Sequence, residues 1–152
     1  MKIREFNKHT DLQKCIKMGK LQHSESTWSH LPYDAERVKN QYLNSVGNPR
    51  YKVFVIDNQG EIAGATAVVE CQYHFSYQTY VQDIFFYIYP EFRRGLIARR
   101  LYQRIYDWAK ERGACEVYLN YGFGSENARI KKFYNRMGYE HHSDNYRKAV
   151  IE

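Results

Sequence analysis

The chain has 152 residues and a mass of 18.3 kDa, enough for a single domain spanning residues 1–152 to bury its own core without disulfide or metal staples. With 43% hydrophobic and 26% charged residues it has the balance of an ordinary soluble globular protein, and no run approaches the roughly 18 apolar residues of a membrane span. The formal charge of +6 favours an anionic partner, but charge alone does not separate a nucleotide cofactor from nucleic acid.

In chain order, a short strand is expected at Lys2–Phe6. Helices follow over about Thr10–Glu25 and Asp34–Ser45, separated by "STWSHLPY". The period then changes to β-branched and aromatic runs: "YKVFVID", "EIAGATAVVECQYHF" and "TYVQDIFFYIY". Short polar connections at Asn58–Gly60 and Ser76–Gln78 make these three antiparallel strands. Ile97, Leu101, Ile105 and Trp108 recur at helical spacing, predicting a helix of about Arg94–Arg112 that stops at Gly113. A strand "CEVYLNY", a helix from about Ser125 to Met137 and a last strand near Tyr146–Ile151 complete the chain. The reading is a mixed α+β fold whose central, mostly antiparallel sheet is flanked by helices.

Cys15, Cys71 and Cys115 are odd in number and widely spaced, which fits reduced thiols; neither they nor His141 and His142 form a metal-ligand pattern, so no metal is assigned. The opening "MKIREFNKH" lacks a signal-peptide core. A cytoplasmic location and no membrane partner are the simplest expectation, as a monomer or homodimer.

Two stretches carry chemistry. In "PEFRRGLIARRLYQRIYDW" a strand read as buried on both faces runs through Arg93, Arg94 and a lone Gly95 into an amphipathic helix. A helix start leaves N–H groups unpaired and partially positive, which suits a phosphate; the alternative makes Arg93, Arg94, Arg99 and Arg100 a solvated basic face. In "SENARIKKFYNRMGYE", Asn127 and Tyr134 are seven residues apart, two turns along nearly the same helical face, and so able to line one groove.

Together, Arg93-Arg94-Gly95-Leu96-Ile97-Ala98 and Asn127-Ala128 through Phe133-Tyr134 to Gly138-Tyr139 resemble the signature of the Gcn5-related N-acetyltransferase (GNAT) superfamily. Leu96 stands where that signature has its middle glycine, with Gly95 one place earlier, so Leu96 must point away from a bound pyrophosphate. The resemblance implies acetyl-CoA as acetyl donor, its pyrophosphate on the N–H groups of about Arg94–Arg99 and its pantetheine arm along Asp83–Tyr89. It puts Phe86, Tyr87 and Ile88 beside the arm, with Asn127 holding it. Tyr134 becomes the acid that protonates the departing thiolate, and Glu70 or Asp83, acting through water, the base; Gln82 and His74 lie nearby.

The acceptor would be an amine-bearing small molecule or protein. The loop "HSESTWSHLPYD" is expected to form its site, with Glu25 attracting an ammonium group, Trp28 packing on its alkyl chain and Tyr33 nearby; surface or packing roles fit these residues as well. Two other classes stay open on sequence: a protein that binds or modifies nucleic acid through its basic helix and 15 tyrosines, and a catalytically degenerate CoA-binding regulator.

Overall fold

The computed structural model describes residues 1–120 and 128–150. The elements are β1 (Lys2–Glu5), α1 (Leu12–Glu25), α2 (Ala35–Ser45), β2 (Tyr51–Asn58), β3 (Glu61–Gln72), β4 (Thr79–Ile88), a 3-10 turn at Pro90–Phe92, α3 (Ile97–Arg112), β5 (Glu116–Tyr118) and α4 (Ala128–Arg136). The strands lie side by side in chain order. The first four are antiparallel, and β5 returns parallel to β4 after the α3 crossover.

Alternation along β2 separates two cores. Val53 and Val55 pack with Cys15 and Met18 of α1 and Tyr42 of α2, while Phe54 and Ile56 pack with Leu101, Ile105 and Trp108 of α3. The expected stripe on α3 is therefore the buried one, and Gly113, at φ +73°, ends that helix. Asp34 caps α2 by accepting from the Arg37 N–H at 3.0 Å.

The strand buried on both faces is β3, not β4. Gly64 marks how tightly the two meet: a Cβ built there would fall 2.6 Å from the Tyr87 carbonyl oxygen. On β4, Phe85 and Phe86 are half-buried and Ile84 is exposed, because the strand's far edge opens. Ala67 pairs with Phe85 and Val68 with Asp83, so Ile84 is an extra residue, a β-bulge that bends the strand. Among the described residues, β5 pairs with Tyr80–Gln82 of β4.

The expected last strand does not form over Tyr146–Val150, and Ile151 lies outside the described residues. "EHHSDNYRKAV" has no alternating apolar face to bury, and Tyr146 and Val150 are each 96% exposed. The segment instead crosses toward the α1–α2 connection, where Arg147 Nη1 donates to the Thr27 carbonyl at 2.9 Å. Among the described residues, no helix is long and apolar enough to cross a membrane.

Candidate active site

A cleft of about 990 Å³, lined by Asp83–Ile88 of β4, runs from the α1–α2 connection to the start of α3. Asp83 sits where the strands part. Its buried carboxylate oxygen Oδ1 accepts from the Asn120 backbone N–H at 2.7 Å and from Asn120 Nδ2 at 3.1 Å, tying the chain after β5 to β4. Burial disfavours the charged form more than these bonds favour it, so the carboxyl titrates at about 6.

Beyond the bulge, the Tyr89 N–H donates to the Ala63 carbonyl at 3.0 Å, which fixes the alternation of paired residues. The peptide groups of Phe86 and Ile88 then face the open edge rather than β3. Arg93 folds back onto this edge: its Nε donates to the Ile88 carbonyl at 2.7 Å and its Nη2 to Glu25 at 3.0 Å, with the guanidinium 5.1 Å from the centre of the Tyr87 ring. The Tyr87 hydroxyl donates to the other Glu25 oxygen at 2.7 Å.

The turn after Arg93 brings Arg94, Gly95, Ile97 and Ala98 to the cleft. Gly95 takes φ +68°, a left-handed conformation that costs other residues strain. Leu96 takes the helix-cap position and turns outward, 67% exposed and off the cleft wall, so the departure at the middle glycine puts no side chain in the way. No side chain caps α3, and its first helical bond runs from the Arg100 N–H to the Leu96 carbonyl at 2.9 Å. The N–H groups of Ile97, Ala98 and Arg99 precede it. The Arg94 N–H is committed to the Phe92 carbonyl at 2.7 Å, and the Arg99 side chain is exposed and does not line the cleft.

Tyr134 reaches the cleft from α4 and is buried. Its hydroxyl lies 2.8 Å from that of Tyr102 on α3, whose ring stacks on Phe86 at 4.0 Å and 6°. Burial drives the Tyr102 phenol far above its usual range, with the neighbouring Tyr134 adding to the effect, so it stays protonated. Sequence reasoning missed Tyr102. Its signal was its place one turn after Ala98, beside the buried stripe rather than on it.

On the opposite side, α1, α2 and their connection present Trp28, Tyr33, Tyr42, Gln22 and Gln41 to the cleft, joined by Tyr51 and Phe85 from the sheet. The Tyr33 hydroxyl donates to the Ile16 carbonyl at 2.9 Å, which fixes its ring against α1. Glu25 is not on this wall. Burial opposes its charge, but the bonds from Tyr87 and Arg93 outweigh it and hold the carboxyl below its usual range.

The acetyltransferase (GNAT) family profile matches residues 15–139, from α1 through the turn after α4. The chain belongs to the GNAT family. Among curated proteins, no sequence matches it. GNAT structures share its fold. Glucosamine-6-phosphate N-acetyltransferase from Arabidopsis thaliana superposes with a TM-score of 0.77 at 16% identity, over 99% of this chain and 98% of that one. An acetyltransferase from Trypanosoma brucei gives 0.74 at 15%, over 98% and 99%. An aminoglycoside acetyltransferase from an uncultured soil metagenomic sample gives 0.73 at 14%, over 99% and 98%.

Within this GNAT fold, the remaining sequence candidates fall away from the cleft. Glu70 is buried on β3, where Arg112 Nε donates to its carboxylate at 2.7 Å at the far end of α3, so the fold does not bring it to Asp83 or Tyr134. Gln82 pairs with β5, and the His74 ring packs against Phe75. Asn127 lies outside the described residues. His141 bonds Asp144 at 3.0 Å, and among the described residues no group of three or more His, Cys, Asp or Glu side chains could hold a metal ion.

Proposed function

We propose that the chain is an acetyl-CoA-dependent N-acetyltransferase of a primary amine, working as one domain over residues 1–152 by direct transfer. One observation carries the reading: a single cleft joins an open strand edge at Phe86 and Ile88, an uncapped helix start at Ile97–Arg99, and the buried Tyr134 phenol.

The donor brings an activated acetyl thioester; everything else falls to the protein. The peptide groups of Phe86 and Ile88 hold an amide-bearing arm as a neighbouring strand would, Arg93 having to leave the Ile88 carbonyl first. The N–H groups of Ile97, Ala98 and Arg99, with Arg94 at the rim, take the pyrophosphate, and Gly95 keeps the approach clear. As the amine nitrogen bonds the acetyl carbon and the C–S bond breaks, Tyr134 gives its proton to the sulfur, and Tyr102 fixes that hydroxyl by its 2.8 Å contact. The amine's proton leaves through water toward Asp83, whose titration near 6 leaves it mostly ionised at neutral pH. Glu70 takes no part in this scheme, because Arg112 holds it outside the cleft.

Free-thiol release from acetyl-CoA, followed across an amine panel with a no-amine control, tests the reading. Amine-dependent turnover is expected, with thermal stabilisation by CoA at low micromolar concentration. CoA binding without turnover on any amine would make the chain a regulator. Salt-sensitive binding to RNA or DNA without CoA affinity would overturn the reading altogether.

A further inference from the structure

We infer that the acceptor is an aromatic or apolar molecule bearing a single amine and no other charge, rather than a polycation or a phosphorylated sugar. The inference rests on the acetyltransferase reading and names the substrate class of that same cleft.

The acceptor wall is aromatic. Trp28, Tyr33, Tyr42, Tyr51 and Phe85 come from four different elements and connections to one side of the cleft, with the amides of Gln22 and Gln41, the His23 imidazole and Ser26 as polar groups among them. Flat faces converging from several directions suit a ring, which buries a large area at small entropic cost.

Charge argues the same way. Among the described residues, Asp83 is the sole carboxylate on the cleft wall, 3% exposed and already accepting two N–H groups of Asn120. Glu25, at the end of α1, is turned onto Arg93 and Tyr87. A second ammonium on the acceptor would thus lose water without gaining a carboxylate, beside a wall that also carries Arg93, Arg94 and Arg129. The arginines in turn belong to the α3 and α4 end. Among the described residues, no lysine or arginine of the α1–α2 wall lines the cleft, and its one basic side chain is His23, whose ring packs 5.5 Å from that of Tyr33, so a phosphate on the acceptor meets neither an ammonium nor a guanidinium there.

Thiol release should compare tryptamine, tyramine and 2-phenylethylamine with spermidine, an aminoglycoside and glucosamine 6-phosphate. The aromatic monoamines should exceed the others in kcat/KM by at least about 100-fold, since one uncompensated buried charge costs about that much. Trp28→Ala should raise the amine KM roughly tenfold while leaving the acetyl-CoA KM unchanged, as loss of one aromatic contact surface implies. Gln41→Glu should improve turnover of spermidine by supplying a carboxylate on that wall. Preference for a polycation or a phosphosugar overturns the inference and leaves the acetyltransferase standing. So does turnover that is indifferent to Trp28→Ala. Calorimetric binding of tryptamine in the absence of acetyl-CoA keeps the two readings apart. If CoA neither binds nor turns over, the acetyltransferase reading fails, and the aromatic site stands or falls on whether tryptamine binds the native chain and is lost from Trp28→Ala.

Discussion

From Phe86 to Arg99 the cleft offers chiefly peptide groups, with Arg93 and Arg94 beside them; from Gln22 to Phe85 it offers rings and polar side chains gathered from α1, α2, their connection and the sheet. A wall made of backbone depends on one conformation being available, and tolerates whatever side chain leaves that conformation intact. Leu96 shows this, exposed at a position where the family signature has glycine. A wall made of side chains depends on each identity, so it is the part that diverges between proteins of one fold.

The two walls meet at Tyr134, and the largest effect should come from there. Tyr134→Phe should lower kcat by about 100- to 10,000-fold while the CoA dissociation constant holds, as single-turnover kinetics and calorimetry would show. Stability should also fall, by about 1–3 kcal/mol, because Tyr102 loses the hydroxyl it faces at 2.8 Å in the interior. Near-normal turnover would make Tyr134 a packing residue and leave the walls without a catalytic joint.

Next comes Asp83, at the point where the strands part. Its folded pKa of about 6 lies above the carboxylate's ordinary 3.8, so the native state holds the extra proton between those values. Its contribution to stability is full below about pH 4, declines as pH rises and is gone above about pH 6. Asp83→Asn keeps an acceptor for Asn120 and removes the titration. It should therefore be more stable than the native chain at pH 7, by up to about 3 kcal/mol, with the gap closing toward pH 4 in denaturant titrations. If Asp83 is the base, the same variant should lose activity.

Gly95→Val probes the backbone wall directly. A β-branched residue at φ +68° costs on the order of 1–2 kcal/mol, enough to weaken CoA binding roughly tenfold by calorimetry. Leu96→Ala, one residue on, should leave affinity unchanged; a large loss there would mean that this wall reads side chains after all. The smallest effect is expected from charge at the rim. Arg94→Glu should raise the CoA dissociation constant about fivefold and Arg99→Glu by less, because Arg99 does not line the cleft.

The same division explains what the sequence disclosed. The order of the elements through α4 and the α3 stripe were readable, because helical and strand periods are local, and so was a helix that carries Tyr134. Helix starts came out within two or three residues. The connection from Arg93 to Glu25 was not readable, since 68 residues separate the partners and nothing local distinguishes an acid that meets an ammonium from one that meets an arginine. The pairing of Glu70 with Arg112 was no more readable, since 42 residues separate the two. The β4 run was read as buried on both faces because its composition is apolar, yet apolar residues on an open strand edge serve a cleft as well as a core. Tyr42 and Tyr51 were indistinguishable from the other tyrosines until the fold set them beside Phe85.

Ile84 carries a last implication. Before it, Val81 faces the α3 core; after it, Phe85 and Tyr87 face the α1–α2 core, while Phe86 and Ile88 take the α3 side. The odd–even phase of the strand reverses at this one position, and deleting the residue would restore an unbroken alternation without turning any neighbour to a new face. Both cores would keep their partners. What would go is the bend, and with it the reason for β5 to stop pairing at Gln82. A single extra residue thus separates the part of β4 that pairs with β5 from the part that lines the cleft.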